Sequence, residues 1–133
     1  MRIYLASRFS NQEKMRAKRI LLEKIDHKVT SRWIDINPEW DSEENRPKFA
    51  QKAACNDLKD ISNSELVIFD LEEGAGRNGG VHVELGFAIA NSKSCWVIGM
   101  KPTIFHWHPY VTYFDNWDGV LSLLKHCRKE SEK

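Results

Sequence analysis

The chain has 133 residues, enough for one domain with its own core and too few for two ordinary ones. Apolar residues make up 41% and charged residues 29%, the profile of a soluble globular protein rather than a disordered or fibrous one. Lys plus Arg total 20 against 19 Asp plus Glu, a balance that excludes wrapping around a nucleic acid polymer, which needs a basic excess, but not binding of one nucleotide.

Residues 2–6 read as a first buried strand. The spacing predicts a helix from Asn11 to about Ile25, with Ser10 and Glu13 as a capping box. Val29 to Ile34 reads as a second strand, and the polar segment 35–46 as a loop long enough to serve as a lid. Pro47 suits the first position of a helix running to about Asn63. Leu66 to Leu71 is a third, wholly apolar strand, followed by a Gly-rich loop over 72–78 and a helix from Gly79 to about Asn91. Cys95 to Gly99 reads as a fourth strand, 100–110 as irregular and aromatic, Val111 to Phe114 as a short last strand, and Trp117 to about Arg128 as a closing helix. Strands alternate with helices and are apolar throughout, so the expected fold is a doubly wound α/β domain over 1–133 with about five mainly parallel strands. No apolar run reaches the ~18 residues of a membrane span, and the start of the chain lacks a signal-peptide pattern, so the expectation is cytoplasmic. Cysteines at 55, 95 and 127 have neither the number nor the spacing of a disulfide framework.

In such a fold the ligand sits beyond the C-terminal ends of the strands. That places Tyr4, Ser7, Arg8, Phe9, Trp33, Asp70, Arg77, Asn78, Gly79 and Gly80 near one crevice. Glu84 falls at the edge of the arc formed by Val81, Leu85, Ala88 and Ile89, where a carboxylate is partly desolvated. Asp57 projects into the arc of Ala50, Ala53, Ala54, Leu58 and Ile61, while Asp60 lies farther out and reads as a surface charge. Two carboxylates entering one crevice suit glycosyl chemistry: one acts as nucleophile or cation stabiliser, the other positions the base or moves protons. Trp33, Trp40 and Trp107 are candidates for stacking on a base. Gly74 to Gly79 matches a dinucleotide-binding glycine pattern, but it follows the third strand and no Asp or Glu falls at Trp96–Met100 to hold a ribose. The loop therefore reads as a close backbone approach to a ligand, and no cofactor is expected. His106 and His108 invite a metal, as does His82 beside Glu84, yet no third ligand or paired cysteines accompany them, so no metal site is expected.

These residues together resemble the nucleoside 2-deoxyribosyltransferase family, which includes deoxynucleotide and nucleotide N-glycosidases. The resemblance covers roughly residues 2–125 and rests on IYLAS near the start, NDLKDISNSELVIFD in the middle, and GGVHVELGFAIA. It implies a flavodoxin-like fold and cleavage of the N-glycosidic bond of a 2′-deoxynucleoside or its 5′-monophosphate. Glu84 would be the nucleophile that forms a covalent glutamyl-deoxyribose, Tyr4 would orient it, and Asp57 would bind or protonate the base. Another base would resolve the intermediate. The alternatives are hydrolysis by water and a non-catalytic nucleotide-sensing module. The resemblance also implies a homo-oligomer in which Phe105 to Tyr110, with His106 and His108, reaches a neighbouring subunit's site. One position departs from the pattern: Asn78 stands where transferases tend to carry Asp and monophosphate hydrolases Ser.

Overall fold

A computed structural model describes residues 1–37 and 43–131. Five strands form one sheet: β1 (Arg2–Ala6), β2 (Lys28–Val29), β3 (Leu66–Asp70), β4 (Ser94–Ile98) and β5 (Val111–Phe114). Their order is β2-β1-β3-β4-β5, and every pairing is parallel. The helices are α1 (Gln12–Lys24), α2 (Arg46–Ser62), α3 (Gly80–Ala90) and α4 (Trp117–Ser131). Parallel neighbours need a crossover, and right-handed crossovers place the helices on both faces of the sheet. Accordingly α2 packs against α3, while Lys18 of α1 lies 5.2 Å from the Trp117 ring of α4. The fold is doubly wound α/β, as the strand and helix alternation implied.

Burial on both faces explains the unbroken apolar strands. Ile3, Tyr4, Leu5, Val67, Ile68, Phe69, Val97 and Ile98 are at most 1% exposed, and each such large apolar side chain contributes roughly 1.5–3 kcal/mol of transfer free energy. At the C-terminal edge, Gly99 has φ +100°, and a Cβ there would lie 2.8 Å from Glu72 Cα. The end of β4 therefore packs directly on the backbone that leaves β3.

The structure departs from four local expectations. The second strand is Lys28–Val29, not Val29–Ile34, and Trp33–Asp35 forms a 3₁₀ turn. Side chains take over the ladder there: Leu5 N donates to Ser31 Oγ at 2.6 Å, and Trp33 Nε1 donates to Leu5 O at 2.7 Å. The capping box at Ser10 and Glu13 does not form, because a 3₁₀ turn over Phe9–Asn11 precedes α1. The Asn11 amide instead donates to Ser7 Oγ and Glu73 Oε2, tying the end of β1 to the loop after β3. On α2, Ala50 and Ala54 face outward; Phe49, Ala53, Asp57 and Leu58 are half-buried, and Asp60 and Ile61 are buried. Asp60 is thus no surface charge: it is 4% exposed and paired with Arg32. The central part of the 35–46 segment, with Trp40, lies outside the described residues.

Candidate active site

Beyond the C-terminal ends of β1 and β3, a cavity of about 420 Å³ opens between α2 and the N-terminus of α3. Its size falls within the ~300–1,000 Å³ of small-molecule sites. Ser7, Arg8 and Phe9 contribute the wall from the end of β1, and Trp33 the wall beyond β2. Asp57 comes from α2, and Arg77, Asn78, Gly79, Gly80 and Glu84 from the glycine loop and α3. Phe9 and Trp33 stand with ring centroids 6.3 Å apart and tilted by 38°, an apolar face on one side of the space.

The glycine loop lets the backbone reach the cavity. Gly79, with φ +72°, is the N-cap of α3, and its left-handed conformation turns the chain into the helix. At Gly76, φ +82°, a Cβ would meet Arg8 Cβ at 3.3 Å, so the loop and the end of β1 lie in contact. Arg8 Nη1 donates to Glu73 O at 2.5 Å, which fixes the arginine along the rim.

Glu84 and Asp57 share the cavity from opposite helices, and the buried Tyr4 completes the group. Glu84 Oε2, Asp57 Oδ1 and Tyr4 Oη are each buried without a hydrogen-bond partner of ordinary geometry among the described residues. Polar groups are not normally left so, because an unsatisfied buried polar group costs ~1–3 kcal/mol. Burial is the main cause that pushes Glu84 up to about 7; the nearby Tyr4 hydroxyl pulls it down and Asp57 raises it further. Although no well-formed bond joins them, the phenol therefore lies near enough to favour the ionised carboxylate. Burial likewise raises Asp57 to about 6, the charge of Asp60 adds to this, and Arg32 opposes it. Tyr4 is raised well above the ordinary phenol value, first by burial and then by Glu84 and Asp57. Two carboxyls whose protonation falls near neutrality, facing an empty space of ligand size, are equipped to exchange one proton and one negative charge with a bound molecule.

Not every residue placed in the crevice by sequence lies there. Tyr4 sits beneath the cavity floor rather than on its surface. Asp70 is fully buried and engaged elsewhere: it accepts from Lys14 Nζ at 2.9 Å, Trp117 Nε1 at 2.8 Å and Glu72 N at 3.1 Å. Ser7 lines the cavity, but its hydroxyl donates to Asp70 O and accepts from Asn11. His106 and His108 lie outside the cavity of this chain. His106 is buried edge-on to His82 at 5.6 Å and bonds Thr103, while His108 Nδ1 accepts from Tyr110 N. Phe49, Ala53, Ile36 and Ser10 line the cavity without having been singled out. Ala53 and Phe49 were findable, since they stand one and two turns before Asp57 on the same face of α2.

The family model for nucleoside 2-deoxyribosyltransferase matches residues 3–108. Among solved structures, the fold is similar to a 2-deoxyribosyltransferase from Bacillus psychrosaccharolyticus, with a TM-score of 0.68, 23% identity, and 93% of this chain and 96% of that one covered. It is also similar to the CMP N-glycosidase BcmB from Clostridium botulinum, with a TM-score of 0.62, 22% identity, and 95% and 99% covered. No curated protein sequence matches the chain. The match over most of β1 to the end of the loop after β4 takes in Asp57, the glycine loop and Glu84, and the chain belongs to the nucleoside 2-deoxyribosyltransferase family, a family of enzymes.

Proposed function

We propose that this protein cleaves the N-glycosidic bond of a 2′-deoxynucleoside or its 5′-monophosphate and transfers the sugar to another base. The observation that carries the reading is the pair Glu84 and Asp57, both raised toward neutrality and both facing one cavity. Between about pH 6 and 7 this pair holds one proton. Positive charge developing at the anomeric carbon draws Glu84 to the carboxylate, which leaves the proton on Asp57. Glu84 then attacks that carbon while Asp57 delivers its proton to the departing base. The product is a glutamyl-deoxyribose ester and a neutral free base. An incoming base attacks the anomeric carbon, the bond from that carbon to the Glu84 oxygen breaks so that Glu84 leaves as carboxylate, and Asp57 takes up the proton that the incoming base gives up. Tyr4 holds Glu84 ionised for the attack. Phe9 and Trp33 offer the base an apolar face.

Arg8, Arg77 and Asn78 flank the N-terminus of α3 on the same cavity, an arrangement suited to an anion. It favours the monophosphate over the nucleoside, and with it hydrolysis by water as the second reading. We further read the enzyme as a homo-oligomer. The support is the exposed row of Val83, Ile104, Phe105 and Trp107, each at least 60% exposed, on or beside the segment that carries His106 and His108.

The test is incubation with a panel of 2′-deoxynucleosides and their monophosphates, with and without an acceptor base, followed by chromatography of the bases. Free base or exchanged nucleoside is expected from wild type and none from Glu84→Ala. Activity largely retained in Glu84→Ala would sink the nucleophile assignment. Binding without any base release would favour a nucleotide-sensing module. Nucleosides used as well as their monophosphates would remove the phosphate preference, and turnover independent of acceptor would select hydrolysis.

A further inference from the structure

The apolar wall of the cavity is held from behind by α1. β2 ends at Val29, and the chain then folds into the 3₁₀ turn Trp33–Asp35, whose carbonyls lie off the sheet ladder. Peptide groups away from water still need partners. α1 supplies them from one stripe, at Gln12, Arg16 and Arg19. Gln12 Nε2 donates to Trp33 O at 2.8 Å and to Ile36 O at 2.7 Å. Arg16 Nη1 donates to Ile34 O at 2.8 Å, and Arg19 bonds the two Asp35 carboxylate oxygens at 2.6 Å and 3.0 Å.

These three side chains hold different things. Trp33 and Ile36 line the cavity, whereas Ile34 and Asp35 do not. Of the three, only Gln12 is bonded to residues of the wall. A primary amide carries two protons on one nitrogen. Here they go to carbonyls at the two ends of the turn, so a single atom fixes both. Gln12 also ends the 3₁₀ turn Phe9–Asn11, where its backbone N–H donates to Phe9 O. One residue thus ties together Phe9, Trp33 and Ile36, and it does not itself line the cavity. The Trp33 ring is pinned at its other end by the bond from Nε1 to Leu5 O at 2.7 Å, and it stands 6.3 Å from the Phe9 ring. A flat ligand held by dispersion is sensitive to this spacing, because a gap of roughly 0.5–1 Å forfeits a quarter to a half of the contact energy.

We propose that Gln12 is a positioning residue for the base: it sets the distance between the Phe9 and Trp33 faces and so governs how tightly a nucleobase is held. The base as ligand rests on the glycosidic reading above. Gln12 acts on the base alone, because the residues that flank the N-terminus of α3 come from other parts of the chain.

The test is titration calorimetry of the full chain carrying Glu84→Gln, so that nothing is turned over. The ligands are a 2′-deoxynucleoside 5′-monophosphate and 2-deoxyribose 5-phosphate, which lacks the base. Gln12→Met keeps the length of the side chain and removes both protons; Gln12→Glu sets acceptor oxygens against the two carbonyls. Both should weaken the monophosphate about tenfold and leave the sugar phosphate within about twofold. Arg16→Met removes a bond to the same turn behind Ile34, and should leave both ligands within about twofold. In the active chain, the Gln12 variants should raise KM with little change in kcat. Equal losses for the two ligands would mean a general loosening of the fold and would overturn the proposal. So would an equal loss in Arg16→Met, or an unchanged affinity for the monophosphate. If Gln12→Glu does not fold, Gln12→Met decides alone. The expected binding pattern in a protein whose wild type releases no base would sink the glycosidic reading and leave the role of Gln12 standing. Base release by wild type with no effect of Gln12→Met would do the reverse.

Discussion

Replacing Glu84 by Gln should make the fold more stable at alkaline pH, and the size of the gain follows from the site. In the folded chain the Glu84 carboxyl is raised from its ordinary 4.5 to about 7, chiefly by burial. Between those two values the folded state binds more protons than the unfolded state, so wild-type stability falls as pH rises. The loss is complete above the folded value of about 7. Each tenfold in proton affinity is ~1.4 kcal/mol, so ionised Glu84 costs the fold on the order of 3 kcal/mol. Glutamine keeps the shape and stays neutral at every pH. Denaturant unfolding followed by tryptophan fluorescence should therefore show Glu84→Gln more stable than wild type at pH 8.5, by up to this amount, and nearly equal at pH 4. Such a cost at the proposed nucleophile is a common trade of stability for activity. A variant no more stable at pH 8.5, or one with the same difference at pH 4, would refute a stability cost from the buried Glu84 charge.

Tyr4→Phe removes the hydroxyl that lowers Glu84, so the acid limb of kcat/KM should move to higher pH, with turnover at pH 6 cut about tenfold more than at pH 8.5. A limb that stayed put would show that Tyr4 does not act through Glu84. Phe9→Ala should raise KM about tenfold with little change in kcat, as expected for loss of one stacking face worth ~1–3 kcal/mol; an unchanged KM would remove Phe9 from the base site. Gly99→Ala should destabilise by roughly 2–4 kcal/mol, since its Cβ would press on Glu72 backbone at φ +100°. Equilibrium unfolding checks this, and a cost under ~1 kcal/mol would mean that the two loops separate easily.

The core of the fold was legible where one kind of interaction dominates. Strands such as Leu66–Asp70 are buried on both faces, so their composition announces them. The second strand was not, because Ser31 and Trp33 side chains compete for the backbone groups of Leu5, and no periodicity records a side chain that replaces a ladder bond. Asp57 was found from its helical position, although the arc around it was rotated: alanines are small enough to suit either face, and Ala50 and Ala54 proved exposed. Asp60 was read as a surface charge because the partner that lets it be buried, Arg32, comes from a distant part of the chain. The end of β3 did lead to the cavity, but Asp70 itself turned inward to Lys14 and Trp117, neither of which its neighbours in sequence reveal.

The central claim is that Glu84 forms a bond to the sugar. Acid quench of the protein within milliseconds of mixing with a 2′-deoxynucleoside 5′-monophosphate, without acceptor base, followed by intact-mass and peptide mass spectrometry, tests it directly. The expected product is a protein heavier by one deoxyribose-phosphate unit, with the added mass on the peptide containing Glu84 and absent from Glu84→Gln. Base release at the normal rate with no adduct at any time point, or an adduct on another residue, would contradict it.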